Sequence, residues 1–179
     1  MPTNYDQTVV QPFIPLELTT PLELWILMKI FNFEYCSGES EIYLFTQEFV
    51  SYDIDTSDGE LMELLKEDDS PLAVTMRKEF EEAGSPEDWD LGSVSYVDVF
   101  QAIINRHPDK LPYVHLETAH TCSRMCPGEF GGSAEIITAT QVQFINTARW
   151  LREAISLVDR GLPLQPTPGG ELVGESARH

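Results

Sequence analysis

Residues 113–161 read YVHLETAHTCSRMCPGEFGGSAEIITATQVQFINTARWLREAISLVDRG, two extended runs followed by an amphipathic helix. The runs 113–121 and 134–140 flank the Gly/Pro-rich segment 123–132, whose glycines suit the positive φ angles of a long hairpin connection. Thr140 and Gln143 then have capping-box spacing. Phe144, Ala148, Leu151, Ile155 and Val158 supply a helical stripe, and Gly161 ends it. A hairpin and a capped helix of this kind predict the most stable part of an α+β fold.

Upstream, Ser95 is placed to cap a helix with Tyr96, Val99, Phe100, Ile103 and Ile104 facing the core. Arg106 and His107 suit its C-terminal dipole and Pro108 closes it. Ser70-Pro71 starts another helix, with Leu72, Met76 and Phe80 at every fourth position and Gly84, Ser85 and Pro86 at its end. Ser57 and Glu60 resemble a capping box for a shorter helix carrying Leu61, Leu64 and Leu65. Residues 33–35 and 41–45 flank a Ser-Gly-Glu-Ser turn and predict a first hairpin. Thr20, Pro21 and Glu23 announce the first helix, with Leu24, Leu27, Met28 and Phe31 in its stripe.

The predicted organisation is an extended arm over 1–18, one α+β domain over 19–161 and a flexible tail over 162–179. Val9, Val10, Phe13, Ile14 and Leu16 are expected to pin the arm to the core. The expected sheet is antiparallel, of about four strands, with helices packed on one face. Length and apolar content suffice for one sizeable core, and the three tryptophans and nine phenylalanines argue against disorder despite the net charge of −19. Three cysteines are too few for a disulfide framework and read as free thiols in a reducing cytosol. The longest apolar run, 24–31, contains Lys29 and is too short to span a bilayer, so a cytoplasmic protein without a membrane partner is expected.

The charge is concentrated. Eighteen acids lie between Glu34 and Asp90, opposed by Lys66, Arg77 and Lys78, so this third of the chain carries −15. Such a surface repels nucleic acid and anionic membranes and accelerates encounter with basic proteins.

Motifs for chemistry are weak by comparison. His115, Glu117, His120, Cys122 and Cys126 could in principle supply a metal site or a Cys–His nucleophile. Strand alternation, however, puts His115 and Glu117 on one face and His120 and Cys122 on the other. Incidental Cys and His in a hairpin, with no cofactor and no bound metal, is the preferred reading. The loop 127–132 carries Glu129 and leads into a strand, unlike a phosphate-binding loop. Residues 53–59 put an acid where a calcium loop needs glycine.

The segment Thr121-Cys122-Ser123-Arg124-Met125 with Gly128-Glu129-Phe130-Gly131-Gly132, Ala134 and then Trp150-Leu151 resembles small proteins encoded on bacterial integrative elements and plasmids, with a pattern TCSxMxPxxFGGxA. The resemblance covers about the last third of the chain. Cys126 stands where a basic residue is expected. A mobile-element context is implied, and no activity is carried over to any residue.

The expected function is therefore inhibition of a basic nucleic-acid-binding protein or complex by occupying its groove, as in an anti-CRISPR or antirestriction decoy or a nuclease immunity protein. Direct binding of nucleic acid and enzymatic activity are not expected. Asp53, Asp55, Asp58, Glu60, Glu63, Glu67, Asp68, Asp69, Glu81 and Glu82 are the expected partner-binding residues. The alternative is a small enzyme or metal-binding protein using the 115–126 cluster.

Overall fold

The structure, a computed structural model, describes residues 4–48, 50, 54, 59–84, 89, 94–124 and 129–164. Ser57, Asp58 and the other partners of the residue 53–59 readings, as well as Met125, Cys126 and the tail from 165 on, lie outside them.

Local capping chemistry sets most helix starts. α1 (Pro21–Ile30) begins with a reciprocal box in which Glu23 N–H donates to Thr20 Oγ1 at 3.2 Å and Thr20 N–H donates to Glu23 Oε2 at 2.9 Å. α2 spans Gly59–Glu67. α3 (Pro71–Ala83) has Ser70 Oγ accepting from Ala73 N–H and ends at Gly84, whose φ of 80° is the left-handed stop. α4 (Tyr96–Arg106) has the Ser95–Asp98 box. α5 (Thr147–Asp159) is capped by Asn146, which accepts from Arg149 N–H at 3.1 Å.

The start of α5 corrects the sequence expectation. Residues 142–146 form a strand, so Thr140 and Gln143 do not cap a helix. The pattern of 142–146 alternates as well as repeating every fourth residue, and the free edge of the preceding strand offers it a ladder. Pairing with that edge wins over helix extension.

Seven strands, not about four, make one open antiparallel sheet. They are β1 (Asn4–Gln11), β2 (Ile14–Pro15), β3 (Asn32–Cys36), β4 (Glu41–Thr46), β5 (Tyr113–Cys122), β6 (Gly131–Thr138) and β7 (Val142–Asn146). β3 covers one side of β4 from Asn32↔Phe45 to Cys36↔Glu41, while β2 and β1 share its other side. β1 then pairs along its whole length with β5, from Asn4↔Cys122 to Gln11↔His115, and β6 and β7 follow. Residues 4–11, read from sequence as part of a pinned arm, are thus a central strand.

The buried side chains of the sheet share one face. Thr8 and Val10 on β1, Ile42 and Leu44 on β4, Val114 and Leu116 on β5 and Ile137 on β6 are connected by the register and all lie inside. Leu22, Ile26 and Leu27 of α1, Leu61 and Leu65 of α2, Met76 of α3, and Val99, Phe100, Ile103 and Ile104 of α4 complete this core. Each such side chain removed from water contributes about 1.5–3 kcal/mol. Thr8 is buried without loss because its hydroxyl bonds that of Thr118 at 2.9 Å across the β1–β5 pair.

One ion pair is built into this core. Glu23 is fully buried and is held by Arg106 at the end of α4, with Nη1 donating to Oε1 at 2.6 Å and Nη2 to Oε2. Nη2 also donates to the Leu18 carbonyl at 3.0 Å, so the guanidinium ties α1, α4 and the turn Leu16–Leu18 together.

Candidate functional site

Among the described residues, the acids of 34–90 lie on the β3–β4 hairpin, on α2 and α3 and in the connections beside them, and most are exposed. On α2, Glu60, Glu63 and Glu67 recur at three- and four-residue intervals and are exposed, while Leu61 and Leu65 turn inward. On α3, Glu81 and Glu82 are exposed in the last turn. Asp69 is exposed in the connection between the two helices. Asp53, Asp55 and Asp58 lie outside the described residues.

Two of the expected partner-binding acids have work inside the molecule. The Trp25 indole N–H donates to Glu60 Oε2 at 3.0 Å, joining α1 to α2. Asp68 is half-buried and Oδ1 accepts from Ser70 N–H at 2.7 Å. Burial opposes its ionisation, but the Thr20 hydroxyl, the Ser70 hydrogen bonds and the Arg106 charge together hold its carboxyl below the ordinary aspartate range. Asp68 is therefore a turn residue first.

Two of the three local cations are also spoken for, and Lys66 is exposed in the last turn of α2. Arg77 Nη1 donates to the carbonyls of Leu65 and of Asp68, the latter at 2.6 Å, and Nη2 lies 3.8 Å from Asp69. It closes the α2–α3 connection. Lys78 pairs with Glu82 at 3.7 Å in an exposed i,i+4 contact that salt would screen. Glu63, Glu67 and Glu81 remain as an exposed carboxylate series along two helices.

The 115–126 cluster is divided as strand alternation requires. His120 and Cys122 fall on the core side of β5 with Leu116, whereas His115 stands beside Tyr113 on the other side. His120 Nδ1 is 2.7 Å from Asp6 Oδ1 across the β1–β5 pair. Cys122 is buried, and its sulfur accepts from Arg124 N–H at 3.5 Å. Among the described residues no group of three or more His, Cys, Asp or Glu side chains could hold a metal. Nor is any described helix long and apolar enough to cross a membrane. Surface depressions at Met28–Asn32 and at Pro15–Glu17 contain no histidine or cysteine.

A second surface escaped the sequence reading. β7 and α5 are almost wholly exposed, with Phe144, Ile145, Trp150, Leu151, Ile155 and Val158 all facing water. Sequence showed the stripe of α5, and an amphipathic stripe is ordinarily assigned to the core. Only the placement of α5 at the end of the sheet reveals that nothing described covers it. Compared with protein-family models, with characterised proteins and with solved structures, the chain matches none of them.

Proposed function

We propose that this chain is an acidic inhibitor that occupies the basic groove of a nucleic-acid-binding protein or complex in the bacterial cytoplasm, a phosphate mimic serving a mobile element against a host defence. The observation that carries this reading is the direction of charge on α3. Its first turn has no acid and its last turn no base, while Glu81 and Glu82 sit at the C-terminal end. Carboxylates there oppose the helix dipole and weaken the helix they belong to. Residues that work against their own element point to a use other than folding. On α2, Glu63 and Glu67 are separated by about 6 Å along the axis, one turn apart on the exposed side of the helix. Arg77 is turned mainly to backbone carbonyls and Lys78 meets Glu82 only in an exposed contact, so the acids of this face outnumber its cations.

The test is charge reversal at Glu63→Lys, Glu67→Lys, Glu81→Lys and Glu82→Lys, leaving the structural Asp68 and Glu60 intact. A basic nucleic-acid-binding protein should be captured from host lysate by the parent at low salt and released at high salt. The reversed variant should associate with it about 10- to 1000-fold more slowly. It should also unfold at the same or a higher temperature, since repulsion and the dipole conflict are relieved. Equal association rates for parent and variant would remove the proposal.

A further inference from the structure

We infer that two copies of this chain pair through the surface formed by β7 and α5. α5 buries no side chain completely, and Trp150, Leu151, Ile155 and Val158 on its apolar side are 52 %, 52 %, 50 % and 59 % exposed. Its other side carries the Arg149–Glu153 pair at 3.0 Å. A thirteen-residue helix is marginal in water and is ordinarily held by packing of its apolar side, which this one has only in part. On β7, Phe144 and Ile145 point to opposite faces of the sheet, and both are more than half exposed. The far edge of β7 pairs with no described strand, and its sequence VQFIN holds none of the lysines, prolines or other charges that guard an open edge.

Size and charge select the occupant. The four exposed apolar side chains of α5 and one of β7 leave roughly 500 Å² of apolar surface on one side, and pairing of the open edge strand adds to it toward what each partner contributes to a stable protein interface. Residues 131–164 contain Arg149, Arg152 and Arg160 against Glu135, Glu153 and Asp159, a net charge of zero in a chain of −19. Two such chains repel each other through most of their surface, and here they can approach without opposing charge. A symmetric pair uses the same patch twice, which suits an open edge strand, because antiparallel pairing of a strand with its own copy is self-complementary. Residues 165–179 offer only Leu172 and Val173 as large apolar side chains, too few to cover the surface.

Sedimentation equilibrium of the full chain should give a mass of about twice the 20.2 kDa of one chain at micromolar concentration. The double variant Ile145→Glu/Leu151→Glu and the single variant Ile155→Arg should dissociate at least 100-fold more readily while keeping the parent circular dichroism. Hydrogen exchange of the unaltered chain provides a readout independent of folding in the variants. Protection over residues 142–158 should rise with protein concentration. A single-chain mass at about 100 µM overturns the inference, whether or not the chain then binds neutral phosphatidylcholine vesicles. So does a dimer that neither variant weakens, or protection that concentration leaves unchanged.

Discussion

Glu23 and Arg106 are 83 positions apart, and each also has a local role, Glu23 in the capping box of α1 and Arg106 in the last turn of α4. Those local roles are visible in sequence because they depend on spacing within one turn. The bond between the two is not, since no local pattern encodes a contact between helices. Its energetics are lopsided: a buried pair adds little over apolar packing, but removing one partner strands a charge. Arg106→Ala should therefore lower the unfolding free energy by about 3–5 kcal/mol in urea denaturation. The double variant Glu23→Gln/Arg106→Met should recover much of that loss, because glutamine keeps the capping box and no lone charge remains inside. A single-variant loss below about 1 kcal/mol would mean that water reaches the Glu23 carboxylate. His120 shows the same limit of local reading. Its pairing with Asp6 depends on β1 lying beside β5, which the sequence of either strand alone does not state.

At the scale of elements, α1, α3 and α4 were legible because their caps and stops are chemical signals close to the chain ends they govern. β1 and β7 were not. β1 hides its alternation because the inward positions include Asp6 and Thr8, whose partners His120 and Thr118 belong to β5. β7 passes directly into α5, so one apolar series serves two periodicities. The junction is held where Gly132 N–H donates to Thr147 Oγ1 at 2.9 Å. A Cβ at Gly131 would stand 2.7 Å from that same oxygen, closer than side chains tolerate. Gly131→Ala should displace Thr147, break its bond to Gly132 and raise amide exchange over the first turn of α5, leaving β1–β5 protection unchanged. In a Thr147→Ala background the same glycine substitution should cost about 0.5–1 kcal/mol less. Equal costs in the two backgrounds would mean that the backbone absorbs the added methyl elsewhere.

Across the whole molecule, charge opposes compactness. A net charge of −19, most of it between residues 34 and 90, repels itself in the folded state more than in the expanded chain. Sodium chloride raised from about 20 mM to about 0.3 M shortens the Debye length to a few ångströms and should raise the thermal midpoint by about 2–4 °C. A midpoint independent of salt would show that the carboxylates are spaced widely enough not to interact. The distribution of charge, the α+β class, the first hairpin, the main hairpin and most helix boundaries follow from the sequence, because composition, turn chemistry and capping act over a few residues. Tertiary structure alone decided that the N-terminal residues form a central strand, that 142–146 leave the helical series for a sheet edge, and that the α5 stripe faces outward. Each of these outcomes turns on which distant backbone edge or apolar surface is left for a segment to meet, and that is a property of the assembled sheet.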